Sequence, residues 1–290
     1  GSPRNQAPLF SPRSWIEPET PKRHTPLRVK RRKLRILAAV AVLIVLTGLV
    51  WGAAWVSYLP QFSINSVAVA GAEHVPQQLV QNYVGTILND GSYRVFSRSN
   101  MFLYPRSVIE KAVEGFFPRI KSAKISRESF LATAITVVVE ERKPYAKWCE
   151  TQCYVMDEGG FIFAEVSSNA ASSSATHYVF RGDTENSTNP IGQRFAPGHL
   201  PGILVLLELL GQAGFTPLGG SIENDQDFLI PFVEGFILKV SFGQDAHVLT
   251  KNLQLVLASE PLKGKENQLE YIDLRFDNRV YYKLKGETGT

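Results

Sequence analysis

Catalytic signatures are what this chain most plainly lacks. It has no G-x-S-x-G nucleophile elbow and no S-x-x-K of the penicillin-binding type. The Walker A and Rossmann glycine patterns are absent, as is H-E-x-x-H. The five histidines (His24, His74, His177, His199, His247) are scattered without ligand spacing, so they read as solvated or locally bonded. Carboxylates stand side by side at Glu140-Glu141 and Asp157-Glu158. Neighbours on a strand point to opposite faces, so Glu140 and Glu141 cannot easily share a substrate, and all four are expected at the solvated surface. These absences argue against an enzyme and leave no catalytic residue, metal ligand, cofactor site or small-molecule substrate to expect.

Cysteine is nearly absent as well. Cys149 and Cys153 flank the short turn Glu150-Thr151-Gln152 between apolar segments. Outside the cytoplasm a disulfide persists, and across a hairpin the two Cα atoms come within bonding range. A hairpin disulfide is the first expectation; two free thiols and half of a metal site are the alternatives, the last disfavoured because no His lies nearby. The loop closed is tiny, so the bond would be local and not essential.

The third absence is of charge. No charged residue interrupts the 24 residues Ile36 to Leu59, and twelve of them are Ile, Leu or Val. A spanning helix needs about 20 apolar residues. At ~0.3–0.6 kcal/mol per Ile, Leu or Val, insertion gains roughly 4–7 kcal/mol as an upper bound. A buried core helix would be shorter. A cleaved signal peptide has a shorter apolar region close to the N-terminus, although Gly52-Ala53-Ala54 is small enough to tempt a peptidase. The reading preferred is an uncleaved transmembrane anchor at 36–59.

What is present sharpens that reading. Arg28, Lys30, Arg31, Arg32, Lys33 and Arg35 crowd directly before the anchor. Lys and Arg stay on the cytoplasmic side, so 1–35 is expected in the cytoplasm and the bulk beyond the membrane. Trp51, Trp55 and Tyr58 suit the outer interface, and Pro60 stops the helix. Gly48, Gly52, Ala53 and Ala54 would let a partner helix approach closely. Residues 1–35 hold ten Lys and Arg against two Asp and Glu, net +8, while the rest holds 21 against 25, net −4. The basic run abuts the membrane, so attraction to the lipid bilayer explains it better than nucleic acid. Six prolines and no hydrophobic period mark 1–35 as a disordered tail.

About 230 residues follow the anchor, enough for two modest domains. Ile64 to Ala70 reads as a strand punctuated by Gly71. After Pro76, the residues Leu79, Val80, Tyr83, Val84, Ile87 and Leu88 form a helical stripe that ends at Asn89-Asp90-Gly91. Ser92 to Asn100 reads as loop. From Pro105, a second stripe joins Val108, Ile109, Ala112, Val113, Phe116 and Phe117. Strands are expected at Lys121 to Arg127 and Thr133 to Glu141, the latter with Ile135, Val137 and Val139 on one side.

This order, with Ile64–Gly71 (INSVAVAG), Phe117-Pro118 followed by Ile120, Ala123 and Ile125, and Ile135 through Tyr145 (ITVVVEERKPY), resembles the POTRA domain of the FtsQ/DivIB family of bacterial cell-division proteins. Glu141, Arg142 and Pro144 are its most specific residues. Tyr154 to Phe163, two apolar strands around Asp157-Glu158-Gly159-Gly160, is hairpin chemistry and resembles the opening of that family's β domain. Ser167 to Thr176 reads as a flexible loop. Leu200 to Gln212 is a buried helix too short to span a bilayer. Phe228–Phe232 and Gly235–Phe242 read as strands. Ala246 to Ala258 is a helix with Val248, Leu249, Leu253, Val256 and Leu257 inward. Tyr271–Phe276 and Asn278–Lys283 resemble the hairpin that ends the β domain.

The expected class is α+β: tail 1–35, anchor 36–59, POTRA domain 62–143 (β-α-α-β-β), a mixed domain on an antiparallel sheet at 144–285, and a C-terminal tail 286–290. The resemblance implies a non-catalytic divisome scaffold of the cytoplasmic membrane at the division septum. Its implied partners are FtsB/FtsL-type small coiled-coil proteins and other membrane division proteins, and it implies recruitment and regulation of septal peptidoglycan synthesis. β-Augmentation is the expected mode, because a last strand at Val280–Lys283 suits a sheet edge. Arg275, Phe276, Val280, Tyr281, Tyr282 and Lys283 are the candidate partner-binding residues. Alternation would bury one of the two tyrosines and expose the other. Asp273 and Arg275, on one face, suit an ion pair, or Arg275 serves a partner. The alternatives are an anchored cell-envelope enzyme and a POTRA-bearing transport factor.

Overall fold

A computed structural model describes residues 1, 27–89, 95–166, 178–182, 184, 189–276 and 279–286. Residues 2–26, the Ser167–Thr176 stretch and most of the 286–290 tail lie outside these, as do Asp90-Gly91 and the start of the Ser92–Asn100 stretch. Two units are distinguished, Gly1–Val56 and Ser57–Thr290.

Helix α1 (Leu27–Ser57) is long and apolar enough from Lys30 to Ser57 to cross a membrane. At ~1.5 Å per residue that stretch of 28 residues is about 42 Å long. Both ends differ from the expected 36–59. The helix runs back through the basic cluster, so 27–35 is helix and not disordered tail; Lys and Arg are good helix formers, and Pro26 is the last residue before it. It stops two residues before Leu59, which is extended (φ −67°, ψ 134°). A residue preceding proline is driven out of the α region, and Pro60 follows.

The second unit is a mixed α+β structure built on two sheets. The first sheet comprises β1 (Ser66–Ala70), β2 (Ile120–Ser126) and β3 (Ala134–Glu141), with β3 in the centre. β1 runs parallel to β3 and β2 antiparallel. Between β1 and β2 come α2 (Gln77–Leu88) and α3 (Arg106–Phe116). One row from each helix meets the sheet: Val80, Val84 and Leu88 from α2, Ile109 and Val113 from α3. They close on Ile120, Ile125, Ile135, Val137 and Val139. The stripes are narrower than expected, since Leu79, Val108 and Phe116 are exposed. An i, i+4 row suffices to cover a three-stranded sheet, and the residue beside it turns outward. Phe116 instead stacks on Tyr83 at 4.2 Å between ring centroids, bracing α2 against α3. Gly71 has φ +84°, and a Cβ there would strike the Val139 carbonyl, so β1 ends where only glycine fits.

The second sheet has nine strands: β4 (Ala146–Cys149), β5 (Cys153–Met156), β6 (Ile162–Glu165), β7 (Tyr178–Arg181), β8 (Gly219–Ile222), β9 (Asp227–Pro231), β10 (Ile237–Ser241), β11 (Leu269–Asp273) and β12 (Tyr281–Leu284). Their order is β12-β11-β10-β9-β8-β7-β4-β5-β6. The sheet is mixed and not purely antiparallel: β4–β7, β7–β8 and β10–β11 are parallel. Parallel neighbours need a long crossover. Helix α4 (Leu200–Gln212) lies between β7 and β8, and α5 (Ala246–Leu257) between β10 and β11. The two helices pack together, over a core that includes Trp148, Phe180, Phe195, Phe228 and Phe236. Asp245 caps α5 by accepting from the His247 and Val248 amides. Val248 is exposed and not inward, because in the first turn the row facing the sheet begins at Leu249. Cys149 and Cys153 face each other across the β4–β5 hairpin and are joined as a disulfide, Cα to Cα 4.1 Å.

Candidate partner-binding edge

The chain's last described strand forms one end of the nine-stranded sheet. β12 pairs antiparallel with β11, with Asp273 opposite Tyr281, Ile272 opposite Tyr282 and Tyr271 opposite Lys283. No strand among the described residues flanks its other side. An edge strand offers unpaired backbone donors and acceptors to another chain.

The side chains add an aromatic surface to that edge. Phe276, Val280, Tyr281 and Tyr282 are all exposed, at 52, 39, 46 and 43%. Phe276 and Tyr281 meet edge to face at 5.3 Å. The expectation that one tyrosine is buried is therefore corrected. Alternation does place them on opposite faces, but the packing of β12 is with β11, and α4 and α5 pack with each other. Both tyrosines therefore stay exposed, while Leu284 at the far end of the strand packs against the core. Lys283 is half-buried against Glu270 at 2.8 Å, and that hydrogen bond raises its pKa.

Arg275 sits inside the hairpin rather than on its tip. Its Nε and Nη2 donate to the two carboxylate oxygens of Asp273 at 2.9 and 2.6 Å. Nη1 donates to Asp227 Oδ2 at 2.7 Å, and Glu223 lies 3.6 Å away. The Asp273 hydrogen bond first, then Asp227, overcomes the effect of burial and raises the guanidinium pKa further. The Asp227 carboxyl is held low by the Asn224 amide first, and by Arg275 and Ser241 against the opposing effect of burial. Arg275 thus fastens the β11–β12 turn to the start of β9, with its guanidinium 5.9 Å from the Phe276 ring centroid. It positions the aromatic surface and has little freedom to leave it. Asp273 was recognisable from its spacing of two; Asp227, 48 residues upstream, carried no sequence signal.

A second polar cluster joins the two sheets, and it overturns the expectation of solvated carboxylates at Glu141 and Asp157. The Glu141 side chain is only 9% exposed. One of its oxygens accepts from the Glu73, His74 and Val75 amides at 2.9, 2.8 and 2.8 Å. The other meets His74 Nδ1 at 3.0 Å and Arg119 Nε at 3.3 Å. Burial alone would raise its pKa, but the three amides and His74 outweigh it and hold the carboxyl at about 2. Arg142 next to it donates to Asp157 Oδ2 at 2.6 Å and to the Pro118 carbonyl at 3.0 Å. Its guanidinium lies 3.8 Å from the Phe161 ring centroid. An isolated carboxylate pair has no reason to be buried; these two carry an anion into a nest of backbone amides and onto an arginine.

The cleft beside this junction holds about 850 Å³ and is lined by Lys143, Tyr145, Asp157, Tyr178, Leu204 and Glu208 among others. Burial raises the Tyr145 and Tyr178 pKa values, and neighbouring negative groups add to it. Its lining contains no Ser, Cys or His. No group of three or more His, Cys, Asp or Glu suited to a metal ion occurs among the described residues. No family model matches the chain, and no curated protein is significantly similar to it.

Proposed function

We propose that the chain is a non-enzymatic, single-span scaffold of the bacterial division machinery, of the kind represented by the FtsQ/DivIB family. Residues 62–143 act as its POTRA module and 144–285 as its β domain. The β1-α2-α3-β2-β3 order supports the first assignment. The Asp273–Arg275 hairpin ending in a free edge supports the second. The basic cluster in the first turns of α1 keeps the N-terminus in the cytoplasm and sends the two sheets outward.

One observation carries the binding mode: β12 is an edge strand with Phe276, Val280, Tyr281 and Tyr282 exposed beside unpaired backbone. A partner strand adds to β12, taking affinity from main-chain hydrogen bonds and specificity from the aromatic flank. The partner is a small coiled-coil membrane protein of the FtsB/FtsL type. Docking it here gathers the complex that switches on septal peptidoglycan synthesis, while the POTRA module contacts other membrane division proteins. Depletion of the protein in its host is the test. Filaments with unfinished septa are expected; normally dividing cells with a secretion defect would instead point to a transport factor.

A further inference from the structure

Two loop tips beside the first sheet carry apolar side chains that its core does not use. Phe102 and Leu103 follow the turn at Asn100 and are 43 and 52% exposed. Phe130 and Leu131, between β2 and β3, are 70 and 67% exposed, more than any other large apolar residue described outside α1. The two tips meet: the Phe102 and Phe130 ring centroids are 5.1 Å apart, and Phe62 lies 6.3 Å from Phe102. Arg127 binds them together by donating to the Met101 carbonyl at 2.6 Å, with its guanidinium 5.9 Å from the Phe130 ring centroid. Single exposed apolar residues are ordinary, but a contiguous patch marks a surface that something covers.

Chain length says what covers it. The Phe102 turn is stitched to the segment that follows the apolar helix: the Met101 amide donates to the Phe62 carbonyl at 2.8 Å and the Ile64 amide to the Ser99 carbonyl at 2.7 Å. Phe62 stands five residues after Ser57, the last residue of α1. Five residues reach at most about 18 Å. Headgroup regions add roughly 5–8 Å on each side of the hydrocarbon. A patch tied this closely to the end of a spanning helix lies within reach of the headgroups. Aromatic rings and an arginine whose stem lies along apolar surface are what that interface favours.

We propose that Phe102, Leu103, Phe130 and Leu131 form a footing that seats the β1–β3 module on the lipid surface, with Arg127 at the headgroup level. This rests on α1 crossing the bilayer. The footing holds the module against the membrane instead of leaving it to swing on the short tether.

Site-directed spin labelling of the full chain in phosphatidylethanolamine–phosphatidylglycerol vesicles tests it. Cysteine is introduced singly by Phe102→Cys, Leu131→Cys, Leu43→Cys within α1, and Leu255→Cys on α5, while the native pair stays bonded. Labels at 102 and 131 are expected to collide with oxygen and to lose most of their collisions with an aqueous nickel chelate, as the label at 43 does. The label at 255 should show the reverse. Nickel accessibility at 102 and 131 equal to that at 255, with 43 still shielded, overturns the footing and leaves the anchor standing. An aqueous label at 43 removes both. Labels at 102 and 131 shielded from both reagents mean that a second copy covers the patch, which also overturns the lipid assignment.

Discussion

Glu141→Gln reads the anchor that ties the 73–75 segment to the end of β3. Gln has nearly the same shape and keeps an acceptor oxygen, so what is lost is the negative charge that three amides, His74 and Arg119 surround. The carboxyl titrates at about 2 in the folded chain against an ordinary 4.5. At ~1.36 kcal/mol per unit, that displacement corresponds to about 3 kcal/mol of folding free energy. Because the folded value is depressed, the stabilisation is fully present above pH ~4.5 and is lost as pH falls towards ~2. Urea unfolding of the full chain in detergent, followed by far-ultraviolet circular dichroism, measures the difference between the two proteins across that window. The variant is expected to be about 3 kcal/mol less stable at neutral pH and to converge on the native chain near pH 2. Amide exchange over Glu73–Val75 should accelerate on the order of a hundred-fold at neutral pH. A variant as stable as the native chain at neutral pH, or a difference that does not change with pH, would refute a charge-based anchor at Glu141.

Three further outcomes follow from the edge and its supports. Val280→Pro or Tyr282→Glu should abolish co-purification of the proposed coiled-coil partner while circular dichroism stays unchanged; undiminished binding would remove β12 from the interface. Arg275→Ala leaves Asp273 and Asp227, only 7 and 15% exposed, without their cation, and should cost about 3 kcal/mol in urea unfolding. Lys at 275 should restore only part of it, since it cannot reproduce the two-pronged contact. Replacing Cys149 and Cys153 by Ser opens a loop with a sequence separation of only 4 and should cost no more than about 2 kcal/mol, leaving partner binding intact.

The local elements were legible because their periodicities are strong. Leu200–Gln212 was expected and is observed with those bounds, and the strands around β3 and β9 fall within one or two residues of their expected limits. Long-range partnerships were not legible. Two of the parallel pairs of the second sheet, β7–β8 and β10–β11, depend on crossovers through α4 and α5, and the third, β4–β7, on a connection through β5 and β6; pattern alone does not connect them. Glu141 and Asp157 look like surface charges until the 73–75 amides and Arg142 are brought to them from distant segments. At the candidate edge, composition singled out Phe276, Tyr281 and Tyr282. Their joint exposure depends on which strand ends the sheet, and the restraint on Arg275 depends on Asp227. The start of α1 is not legible because like charges at i, i+4 and cations at a helix N-terminus argue against a helix there, while the good helix propensity of Lys and Arg and continuity with the apolar run carry α1 back to Leu27.

Site-specific photocrosslinking in dividing cells tests most directly whether this protein is a docking scaffold built around β12. A photoreactive residue is placed in turn at Tyr281, Tyr282 and the exposed Leu255 of α5, and the adducts are identified by mass spectrometry. Adducts at 281 and 282 with a small single-span coiled-coil protein, and none at 255, are the expected result. No adduct at either tyrosine, with the same partner captured from 255, would place the interface elsewhere and contradict strand addition at this edge.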